Sequence, residues 1–155
     1  MFRGFVVEDN APVRAALVEG LAELAGVTTV GYAGDEQSAT AWLTDSANDW
    51  DVVIVDLDLG AGGSGYRVLE AVATRQPHQH VLVWTATTDP AALDRCRKLG
   101  ADRVFDSATD LSQLMDFCTA QSEAQVRAAN GSGLFPPPAP ARSAVAWSKA
   151  SGLFA

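Results

Sequence analysis

Short apolar runs alternate with segments whose apolar residues recur every three or four positions, and the alternation repeats five times before residue 130. Runs at 4–7, 28–32, 51–57, 80–85 and 103–105 predict strands, with a helix after each. Asn10 as a cap and Pro12 in the first turn announce the first helix, with Val13, Leu17, Leu21 and Leu24 on its inner face and Gly26 at its end. Asp35 opens a second helix with Ala39, Trp42 and Leu43 inward, and Gly65 begins a third that carries Val68, Leu69 and Val72. Asp89-Pro90 caps a fourth, which stops at Gly100. The fifth starts near Thr109 or Asp110, with Gln113 at capping-box distance, and runs through Leu111, Leu114, Met115 and Cys118 to about Ala129.

Five strand-then-helix units imply a parallel sheet covered on both faces, because each parallel connection needs a crossover. The expected fold is a doubly wound, flavodoxin-like α/β domain with strand order 2-1-3-4-5, which sets strands 1 and 3 side by side at the topological switch point. Both of those strands finish in acid. Phe5-Val6-Val7 leads into Glu8-Asp9, and Val52-Val53-Ile54-Val55 leads into Asp56. Three carboxylates gathered at one sheet edge repel one another unless a divalent cation or a shared proton relieves them.

Composition narrows the classes. The 155 residues are 48% hydrophobic and 19% charged, which fits a globular domain rather than a disordered chain. Nine of eleven Lys and Arg residues and all nineteen acids precede Asn130, so that part carries a net charge of −10. Nonspecific nucleic-acid binding is excluded on that ground, since phosphate backbones need clustered cations. Without a signal-like or membrane-spanning apolar run, the expected location is the cytoplasm, with no membrane partner. Cys96 and Cys118 lack CxxC spacing and are expected to stay reduced inside helix faces. Residues 1–129 form the expected domain; 130–155 form a Pro/Gly/Ala/Ser-rich tail with the run Pro136-Pro137-Pro138-Ala139-Pro140. Ser-Gly-Leu-Phe occurs twice in that tail, at 132–135 and 151–154, either by chance or as a duplicated docking motif.

Val7-Glu8-Asp9-Asn10, Val55-Asp56-Leu57, Trp84-Thr85-Ala86 and Gly100-Ala101-Asp102 together resemble the receiver domain of two-component response regulators. The resemblance implies that Asp56 accepts a phosphoryl group from a sensor histidine kinase, a phosphotransfer protein or a small phosphodonor. It further implies Mg²⁺ held by Glu8, Asp9, Asp56 and the backbone carbonyl of Asp58, and Thr85 as the switch hydroxyl. The chain would then be a single-domain regulator that signals to a downstream protein through the surface of helix 4, strand 5 and helix 5. It would carry one adduct on itself and turn over no external substrate.

Three positions depart from that pattern. Ser107 stands where the family has a lysine, Val104 where it has an aromatic switch residue, and Gly65 lies nine residues after Asp56 rather than eight, with Gly60 in the place of a proline. These departures support an alternative, a degenerate pseudo-receiver acting as a phosphorylation-independent interaction domain. Gly60-Ala61-Gly62-Gly63-Ser64-Gly65 also matches GxGxxG, but it follows the third strand and lies close to Asp56, which would repel a pyrophosphate. Asp56-Leu57-Asp58 is similar to the nucleophile motif of haloacid-dehalogenase-type phosphatases, a family that places it at the first strand and needs a downstream lysine. His78 and His80 are spaced like two metal ligands, yet read more simply as exposed loop residues.

Overall fold

All five strands pair in parallel in the order β2-β1-β3-β4-β5. A computed structural model describes residues 1–131, so the proline run and both Ser-Gly-Leu-Phe copies lie outside the described residues. The chain runs β1 (Phe2–Val7), α1 (Ala11–Ala25), β2 (Val27–Ala33), α2 (Glu36–Thr44), β3 (Val52–Val55), α3 (Gly65–Ala71), β4 (His80–Thr85), α4 (Pro90–Lys98), β5 (Arg103–Asp106) and α5 (Leu111–Gly131). A strand's side chains alternate between faces, and the core divides accordingly. Phe5, Val7, Val53, Val55, Val81, Val83 and Val104 meet Ala39 and Leu43 of α2, Val68 and Leu69 of α3 and Cys96 of α4. Val6, Ile54, Leu82, Trp84 and Phe105 meet Leu17, Leu21 and Ala25 of α1 and Leu114, Met115 and Cys118 of α5. Burial pushes the Cys96 thiol up to about 11 and the Cys118 thiol up to about 12, which leaves both unreactive at neutral pH.

Several details differ from the periodicity. The inner line of α1 is Leu17, Leu21 and Ala25, whereas Leu24 is 65% exposed and Val13 39% exposed. α1 packs closely on α5 at Gly20, where a Cβ would lie 3.2 Å from Met115 Cε. Asp110 forms no capping box with Gln113. Its carboxylate instead accepts the Asp106 N–H at 2.9 Å and the Thr109 hydroxyl at 3.0 Å, bracing the turn before α5. His80 is no loop residue; it is buried in β4, edge-on to Phe117. His78 is half-exposed and faces Asp49 at 3.3 Å, but Arg3 already pairs with both Asp49 and Asp51 there.

The amino end of the sheet is pinned by Asp51. This buried carboxylate accepts the Arg3 N–H at 2.7 Å, Arg3 Nε at 3.1 Å and Gln125 Nε2 at 3.1 Å, joining the starts of β1 and β3 to α5. The carboxyl end is thereby left to the acidic loops.

Candidate functional site

Val7 and Val55 are register partners, and the Asp56 N–H continues the ladder to the Val7 carbonyl at 2.9 Å. Glu8 and Asp56 therefore leave adjacent strands abreast. Glu8, Asp9 and Asp56 each bring a carboxylate oxygen within 4.8 Å of the other two, with Glu8 buried, Asp56 half-buried and Asp9 exposed. Burial pushes the Glu8 carboxyl up to about 8, helped by a shared hydrogen bond with Asp56 and by repulsion from Asp56 and Asp9. Glu8 Oε2 is buried without a hydrogen-bond partner.

The loop after β3 is organised by its own acids. Asp56 Oδ1 accepts the Asp58 N–H at 3.1 Å, and Asp58 Oδ1 accepts the Gly60 N–H at 2.9 Å. Gly65 must be glycine where the loop returns, since a Cβ there would collide with the Asp56 carbonyl and lie 2.6 Å from Leu57 Cα. Asp9, Asp35 and Glu36 surround the glycines of this loop, an acidic setting unsuited to the pyrophosphate that a GxGxxG reading requires.

Across the sheet edge, Thr85 is buried at the end of β4 and its Oγ1 accepts the Thr87 N–H at 3.2 Å, so its own hydroxyl proton remains available to donate. Thr87 Oγ1 accepts the Asp89 N–H at 3.3 Å and thus serves the loop. Ser107 follows β5 and donates its N–H to the Thr85 carbonyl at 2.9 Å. Val104 is buried on the same sheet face as Val83. Sequence reasoning missed Arg14, whose Nη1 donates to the Glu8 carbonyl at 2.8 Å while its guanidinium lies 4.5 Å over the Tyr32 ring. It also missed Glu36 and Ser64, which meet across 28 residues.

The site fits a hard divalent cation. Its three carboxylates supply oxygen donors, and the orphaned Glu8 oxygen is a buried acceptor with no hydrogen-bond partner among the protein groups. Mg²⁺ is among the ions such donors suit, and Glu8, Asp9 and Asp56 would hold it.

The family model for the response regulator receiver domain matches residues 5–119, and the chain belongs to that family. Solved structures agree in fold. A DNA-binding response regulator of the LuxR family from Staphylococcus aureus superposes with a TM-score of 0.68 at 16% identity, over 78% of this chain and 98% of that one. The Francisella response regulator 1452 receiver domain gives 0.68 at 16%, over 81% and 99%. The phosphorylated cyanobacterial phytochrome response regulator RcpA gives 0.64 at 22%, over 81% and 94%. No curated protein matches the sequence. Among the described residues, no helix is long and apolar enough to cross a membrane.

Proposed function

We propose that this receiver domain accepts a single phosphoryl group on Asp56 from a histidine kinase or phosphotransfer protein and passes the change to a downstream protein by contact. The observation that carries the reading is the convergence of Glu8, Asp9 and Asp56 within 4.8 Å, with one buried Glu8 oxygen unpaired. Bound Mg²⁺ would neutralise the charge gathered by the acids and the incoming phosphoryl oxygens. An Asp56 carboxylate oxygen attacks phosphorus, and the P–O bond forms as the bond from phosphorus to the donor's imidazole nitrogen breaks, the leaving imidazole taking up a proton. Thr85 then donates its hydroxyl hydrogen to a phosphoryl oxygen. Because Oγ1 also accepts the Thr87 N–H, the loop before α4 follows that movement. Asp9 is exposed, so a partner's histidine can approach from its side.

The experiment is exposure to acetyl phosphate with and without Mg²⁺, followed by intact-mass measurement and peptide mapping. One adduct, on Asp56 and dependent on Mg²⁺, supports the reading. An unmodified chain supports the degenerate pseudo-receiver, which Ser107 and Val104 favour: Ser107 offers the phosphoryl group only a neutral hydrogen bond, and Val104 gives Thr85 no aromatic neighbour of the family kind.

A further inference from the structure

The loop that carries the Asp58 carbonyl contains Gly60, Gly62 and Gly63 and is the segment that exceeds the family spacing. Such a loop loses more backbone entropy on ordering than one with side chains, so a fixed carbonyl position needs an outside constraint. Glu36 supplies one. Its Oε1 accepts the Ser64 N–H at 3.0 Å, and a Cβ on Gly63, whose φ is 109°, would lie 2.7 Å from that same oxygen. Ser64 in turn faces Asp58 in an isolated antiparallel bridge, flanked by the Gly65 N–H to Leu57 carbonyl bond at 3.0 Å. Residues opposed in this way between ladder bonds turn their N–H and C=O groups outward, away from each other. For Ser64 outward means Glu36; for Asp58 it means the Asp56 carboxylate, which accepts its N–H at 3.1 Å. By the same ladder geometry the Asp58 carbonyl leaves the chain on the side of its N–H, the side of the Asp56 carboxylate.

Resting on the Mg²⁺-dependent reading above, we propose that Glu36 is a positioning residue: through Ser64 it fixes the segment that presents the Asp58 carbonyl to a bound divalent cation. Ser64 also caps α3, its Oγ accepting the Tyr66 N–H at 3.2 Å, so the latch is anchored at both ends. The role belongs to the oxygen acceptor of Glu36 and not to its charge.

Titration of MgCl₂ by calorimetry into wild type, Glu36→Ala and Glu36→Gln, with melting temperatures taken without Mg²⁺, tests this. Glu36→Ala is expected to raise the Mg²⁺ Kd about tenfold, the lower end of losses seen on removing groups that orient metal ligands. Glu36→Gln keeps a carbonyl oxygen for the Ser64 N–H and is expected to bind Mg²⁺ as wild type does. An unchanged Kd in Glu36→Ala, with or without a lower melting temperature, overturns the proposal. So does a Gln variant that loses as much affinity as Ala, because charge alone would then be responsible. Wild type that binds no Mg²⁺ overturns the reading of the acidic pocket itself.

Discussion

The Ser107 N–H bonds to the Thr85 carbonyl at 2.9 Å, which locks the residue after β5 to the end of β4. Whatever residue stands at 107 is thereby held beside the end of β4. Serine places no charge there.

Ser107→Lys is expected to prolong the phosphoryl adduct. A charge-assisted bond to phosphate exceeds a neutral one by about 1 kcal/mol, which corresponds to roughly a fivefold longer half-life. Decay of the adduct by intact mass, after removal of acetyl phosphate, checks this; an unchanged half-life would show that position 107 does not reach the phosphoryl group.

The raised Glu8 carboxyl makes stability depend on pH. Its value is about 8 in the fold against 4.5 for a free glutamate, so the folded state binds the proton more tightly. The sign follows. The stabilisation from Glu8 is full below about 4.5 and is lost as pH rises through about 8. Melting temperatures without Mg²⁺ should fall across that window, and Glu8→Gln should flatten the fall. Mg²⁺ competes with the proton, so its stabilising effect should grow with pH in wild type and should be smaller and nearly independent of pH in Glu8→Gln.

Gly65→Ala tests the packing of the loop beneath Asp56. The added Cβ must displace the Asp56 carbonyl or Leu57, at a cost of about 1–3 kcal/mol typical of overpacking. Urea unfolding should show that loss, together with slower adduct formation.

Asp51→Ala is the counterpart at the opposite end of the sheet. It removes the acceptor shared by Arg3 and Gln125, while Arg3 keeps Asp49, and is expected to cost about 1–3 kcal/mol. Adduct formation on the variant that remains folded should match wild type, since Asp51 lies at the amino end of β3 and Asp56 at the carboxyl end.

The strands were legible because β3 and β4 are buried on both faces and so appear as unbroken apolar runs, as in Val52-Val53-Ile54-Val55. The convergence of Glu8, Asp9 and Asp56 was legible for the same reason: strand order places the acid-ended strands together. Finer features depend on groups that meet only after folding. Leu24 reads as core by spacing, but the buried line of α1 is Leu17, Leu21 and Ala25, and Leu24 faces solvent. Val30 is skipped in the β1–β2 register, where Gly4 pairs with Thr29 and Phe5 with Gly31, and no periodicity reveals such a shift. Glu36 and Ser64 are joined by a side-chain to backbone bond that leaves no trace in composition or spacing. The burial of Glu8 and its unpaired oxygen are likewise visible only in three dimensions.

One comparison bears on the whole reading: intact mass of wild type and Asp56→Asn after acetyl phosphate and Mg²⁺. Wild type should gain the mass of a single phosphoryl group that disappears when Mg²⁺ is chelated beforehand, and Asp56→Asn should gain none. An adduct that survives in Asp56→Asn, or that maps to Asp58, would contradict the assignment of Asp56 as the acceptor.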